Sequence, residues 1–151
     1  MTMAAAIESR TAEAPALSKP SRIAHIDVLS DLRSAETTWR SLETPEQLFT
    51  PYQRFDFLSS WQREVGLRED AVPLIVIATD AERRPLMLLP LFLKQSHGIR
   101  VASFMGGKHA TFNMALWDRS FAAAGGRADV DGLLDELRER SAADVLALSR
   151  Q

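Results

Sequence analysis

The sequence predicts an α/β (α+β) chain: a mixed, mainly antiparallel sheet flanked by helices, in the order β-α-α-β-β-β-α-β. Three observations carry that expectation. Ala24, Ile26 and Val28 alternate with polar neighbours, as on a strand with one buried face. Leu32, Ala35, Trp39 and Leu42 recur near the helical period. Residues 72–78 and 86–93 are dense in branched apolar side chains and are separated by a polar connector, the pattern of a hairpin buried on both faces.

In chain order, the first strand lies within residues 22–29, with His25 and Asp27 on its polar face. Ser30 stands where a helix N-cap belongs, and Thr44-Pro45 closes the helix that follows. Thr50-Pro51-Tyr52-Gln53 sets a capping threonine before a proline, with a glutamine three residues after the cap, so a helix or a tight turn starts there. Leu58, Trp61 and Val65 follow at spacings of three and four, and Gly66 supplies a stop. Pro90 has no ladder donor, so its strand requires an edge, a bulge or an unpaired position there. His97-Gly98 forms the next turn, and residues 99–105 form another strand. A linker around residues 122–126 precedes a helix capped by Asp129, with Val130, Leu133, Leu134 and Leu137 on one face. Residues 145–148 read as a last short strand.

Length and composition restrict the function classes. A chain of 151 residues supports one sizeable core, so residues 22–151 are expected to form one domain behind a disordered, alanine-rich leader at 1–21. Glu8 and Glu13 interrupt that leader, which does not read as a signal peptide. A net charge of -2 gives no pull toward nucleic acid or anionic lipid. The longest apolar run, residues 86–93, is broken by Pro90 and far shorter than the roughly 18 residues that span a bilayer. With no cysteine there are no disulfides, thiolate metal sites or thiol nucleophile, and the expected compartment is the cytoplasm. His25, His97 and His109 are scattered without carboxylates at ligand spacing, so no metal site is expected. Neither a Gly-x-Ser-x-Gly elbow nor a phosphate-binding Gly-rich fingerprint is present.

Function is sought at the exit of the fourth strand. There Gly106, Gly107, Lys108, His109, Phe112 and Asn113 bring small, cationic, aromatic and amide groups together without strand or helix periodicity. Adjacent glycines free the backbone to approach a ligand, Lys108 supplies charge, and His109 is the candidate general base for an acceptor amine. A purely structural turn, with Asn113 bonding the backbone and Lys108 solvated, accounts for the same residues. Trp61, near Tyr52 and Gln53 in sequence, reads either as core or as the lining of a substrate groove.

The element order, Thr50-Pro51-Tyr52-Gln53 upstream of Trp61, the proline-bearing strand at 86–93 and the segment from Gly106 to Asn113 together resemble the GNAT acyltransferase superfamily. They are most similar to its FemAB-like branch, the CelD-type proteins named for cellulose biosynthesis. The resemblance covers residues 22–151 and implies the N-terminal half of a two-half enzyme, an incomplete GNAT-like domain whose C-terminal GNAT-like half is its partner. It implies that the parent is an N-acyltransferase (acetyltransferase) moving an acyl group from acyl-CoA, acetyl-CoA or a similar activated donor to a small polar amine acceptor. This half is then inactive alone and contributes the acceptor groove, with Gly106, Gly107, Lys108, His109, Phe112, Asn113 and Trp61 as the substrate-binding set. The superfamily's pyrophosphate signature, Arg/Gln-x-x-Gly-x-Gly/Ala, has no match. The segment from Gln95 to Arg100 lies between strands and ends in arginine, and Ser103 stands three residues before Gly106. No tight donor binding by this chain is therefore expected. The competing reading is a noncatalytic GNAT-fold module that binds a polar metabolite or a partner protein.

Overall fold

The hairpin of β2 (Val72–Thr79) and β3 (Pro85–Ser96) is the centre of the sheet. In the computed structural model, which describes residues 21–140 and 143–149, Ile75 and Ile77 of β2 and Leu88 of β3 face one side. Leu74, Val76, Met87 and Leu89 face the other. Period-two apolar runs with no polar alternation therefore produce strands covered on both faces. Asp80 closes the hairpin by accepting the backbone N–H groups of Glu82 and Arg84.

β1 (His25–Leu29) pairs antiparallel with β2, and β4 (Ile99–Phe104) pairs antiparallel with β3. The β3–β4 turn places His97 and Gly98 both at positive φ, 52° and 80°. β6 (Val145–Ala147) lies parallel to β4 and gives the order β1-β2-β3-β4-β6. A mixed, mostly antiparallel six-stranded sheet flanked by helices results, as the sequence predicts. The sixth strand, β5 (Leu116–Trp117), pairs with β3 at Met87 and Leu88.

α1 (Leu32–Ser41) and α2 (Phe55–Glu64) cover one face, burying Trp39, Leu42, Phe55 and Leu58 against Ile75 and Leu88. α4 (Arg127–Arg140) covers the other through Leu133 and Leu137. Several sequence expectations need correction. The cap of α1 is Asp31 rather than Ser30, because the helix begins at Leu32 and Asp31 is the extended residue before it, its carboxylate accepting Ser34 N at 2.9 Å. α2 does stop just before Gly66, as the sequence predicts, with Val65 as its C-terminal flank; a 3₁₀ turn follows, and Asp70 takes the positive φ of 54°. The stretch read as a linker is mostly a short helix, α3 (Arg119–Ala124), capped by Asp118 through Phe121 N at 2.8 Å. Asp129 sits in the first turn of α4, where its carboxylate accepts Gly126 N at 3.0 Å and Arg22 N at 2.7 Å, tying the chain before β1 to the start of α4. β5 and α3 are thus additions to the expected order. Ser21, assigned to the leader, donates its hydroxyl to Asp129 at 3.0 Å; the rest of that leader lies outside the described residues.

Among the described residues no helix is long and apolar enough to cross a membrane.

Candidate functional site

Pro90 determines where the site opens. One edge of β3 is shared by β4, which pairs from Leu91 to Ser96, and by β5, which pairs at Met87 and Leu88. Met105 N donates to Pro90 O at 2.9 Å, so the proline ring nitrogen, on the same side as its carbonyl, faces the gap where β4 leaves the sheet. A residue without an N–H stands at the end of the β3–β4 ladder, next to Leu91, where that ladder begins. This is the unpaired position that the proline requires.

Beyond that departure the chain turns sharply. Gly106 and Gly107 have φ of 94° and 48°, and His109 N and Ala110 N bond back to Gly106 O and Gly107 O. A Cβ on Gly106 would stand 3.0 Å from the Ala110 Cβ and 3.5 Å from Leu58 Cδ2, so this glycine is pressed against α2. Gly107 lies over Trp61, whose Cζ2 is 3.8 Å from the position of an added Cβ.

Two of the segments singled out in the sequence, Thr50 to Gln53 and Gly106 to Asn113, meet in space. Gln53 is 1% exposed. Its Oε1 accepts Thr50 N at 3.0 Å and Thr50 Oγ1 at 2.6 Å, completing the capping box of a 3₁₀ turn, Pro51–Gln53. Its Nε2 donates to Phe112 O at 2.9 Å, while its own carbonyl accepts Trp39 Nε1 at 2.8 Å. One buried glutamine thus holds α1, the turn before α2 and the loop after β4 in fixed relation.

A cavity of about 240 Å³ lies beyond the carboxyl ends of the parallel pair. Ser103 and Phe104 at the end of β4, Phe92 of β3, and Ser149 just after β6 form its strand side; Gly107, Lys108 and Asn113 form its loop side. Asn113 is 4% exposed, lines this cavity, and makes no side-chain hydrogen bond with a described residue. Its amide is therefore available to a polar ligand in the cavity. Behind the wall, the Trp61 ring packs 5.5 Å from Phe92 between centroids, with its buried Nε1 lacking a partner among the described residues. β6 is fixed by Asp144, whose carboxylate accepts Arg100 Nη2 at 3.0 Å and Arg100 N at 2.8 Å. The Arg100 side chain, then its backbone N–H, hold the Asp144 carboxyl down at about 2.

Of the residues expected at the site, Gly107, Lys108 and Asn113 line the cavity, and Trp61 and Gly106 stand behind it. His109 is exposed in the turn and is not part of the cavity wall, and Phe112 is 43% exposed and contributes only its carbonyl, to Gln53. Sequence reasoning missed Phe92, Ser103 and Ser149, which come together only through strand pairing. Gln53 carried a signal: a capping-box glutamine keeps a free amide nitrogen for a distant acceptor.

The loop does not fit the diphosphate of a coenzyme A. Its turn consumes the His109 and Ala110 amides, it opens no long helix, Gly106 is packed against Leu58, and Lys108 is its one permanently charged cation. A diphosphate needs several converging donors. Among the described residues no group of three or more His, Cys, Asp or Glu is placed to hold a metal.

No protein-family model and no curated protein matches the sequence. The crystal structure of an acetyltransferase from Trypanosoma brucei is similar at 15% identity and a TM-score of 0.41, over 84% of this chain and 82% of that one. Likeness at that level carries no functional argument.

Proposed function

We propose that the chain is the acceptor-side half of a FemAB-like GNAT N-acyltransferase, holding an amine that receives an acyl group from acyl-CoA or a similarly activated donor bound elsewhere. One observation carries this reading: the cavity beyond the carboxyl ends of β4 and β6, lined by Asn113, whose side chain makes no hydrogen bond with a described residue. In open, mostly parallel α/β sheets ligands collect outside the carboxyl ends of the strands, and β4 and β6 are the parallel pair here. The cavity suits a small polar molecule, being below the roughly 300–1,000 Å³ of drug-sized pockets. Asn113 and the serine hydroxyls of Ser103 and Ser149 orient the acceptor, Phe92 flanks it, and Lys108 sets the sign of the charge it tolerates. No step of donor chemistry is assigned to these residues, because the glycine turn does not fit the donor's diphosphate.

Titration of the chain with acetyl-CoA tests the division of labour. Weak or undetectable binding is expected, and tight stoichiometric binding would refute it. The reading frame after Gln151 is expected to continue into a second half of the same topology. A second reading, a noncatalytic binding module, is favoured by the lack of His, Asp or Glu among the described residues of the cavity wall. A stop codon directly after Gln151 would support it.

A further inference from the structure

We infer that the acceptor is a small amine bearing its own carboxylate, an amino acid, with the carboxylate at Lys108 and a polar group on Asn113. The inference rests on the acceptor-side reading above and adds the substrate class. The lining supplies one ammonium, one unpartnered amide and two hydroxyls, and no described lining residue is acidic. Such a site attracts a ligand that presents acceptor oxygens and repels none of them, whereas an amine without a carboxylate would meet Lys108 as a like charge. The volume of about 240 Å³ accommodates an amino acid and not an extended chain. Phe92, backed by the Trp61 ring, offers an apolar wall to a side chain.

The test is a titration of the ¹⁵N-labelled chain with L-alanine, L-leucine and L-phenylalanine, each against its α-amide, following the Asn113 side-chain amide signals. The free amino acids are expected to bind about fivefold more tightly than the amides, as an exposed ion pair allows. Lys108→Met should erase that preference, weakening the free amino acids and removing the like-charge penalty on the amides; Lys108 is exposed, so the fold does not depend on it. Equal or tighter binding of the amides, or no perturbation of Asn113 by any of the acids, overturns the inference. Acyl transfer measured on the complete reading frame separates the two claims. Faster acylation of amides than of acids defeats the substrate class alone, and acid-selective binding without any acyl transfer defeats the enzyme reading alone.

Discussion

The two ends of one sheet face differ in what covers them. Over β2 and the first part of β3, α1 and α2 close the face, and Trp39, Leu58, Ile75 and Leu88 are fully buried. Ser103 pairs with Phe92, so the odd-numbered residues of β4 share that face; yet Ile99 is 47% exposed, as is Val145 of β6 at 46%. The same residue types stand on the same face, and among the described residues only one end has helices above it. The candidate cavity lies where the closed end meets the open one, between the loop packed on α2 and the free ends of β4 and β6. Apolar character by itself therefore does not distinguish core from open surface; the reach of the covering helices does.

Substitution is the strongest way to break this contrast. Trp39→Ala removes a fully buried ring and the donor to Gln53 O, and should cost about 3–5 kcal/mol in chemical denaturation. Ile99→Ser at the open end should change stability by no more than about 0.5 kcal/mol. Comparable losses at the two positions would show the open end to be covered in solution.

Gln53→Leu sharpens the comparison at the junction. It strands Phe112 O and the Thr50 donors, so a loss of about 1–3 kcal/mol is expected, together with faster amide exchange at Ala110 and its neighbours. Unchanged exchange there would mean that the loop is held by the Gly106 packing alone.

A smaller effect is expected at the open end on acidification. The Asp144 carboxyl is held at about 2, below the ordinary carboxylate range, so its contribution is present at neutral pH and is lost as pH falls from about 4 through 2. NMR shifts of Val145 and Leu146 should move over that interval before the signals of β2 do. Simultaneous change in both strands would remove the assignment of Asp144 as the anchor of β6.

What the sequence disclosed follows the same division. The paired faces of β2 and β3, the periodicity of Leu32 to Leu42 and the capping box at Thr50 are local patterns, and each is found where its spacing predicts. Asp31 rather than Ser30 caps α1 because both are good capping residues and the one directly before the first helical residue, Leu32, takes the role. α3 was hidden in a run of alanine and glycine with one buried residue, Phe121, which gives no periodicity to read. At the site, Gly107, Lys108 and Asn113 were legible as a chemically unusual stretch. Phe92 and Ser149 were not, since nothing local relates a residue of β3 to one after β6 until β4 has paired with both strands.

The central claim, that this chain holds the acceptor and not the donor, is tested most directly by acyl-transfer kinetics of the full-length protein carrying Asn113→Leu. The predicted result is a raised KM for the amine, by about tenfold for a lost buried hydrogen bond, with KM for the acyl donor unchanged. A raised donor KM with an unchanged amine KM would contradict the account.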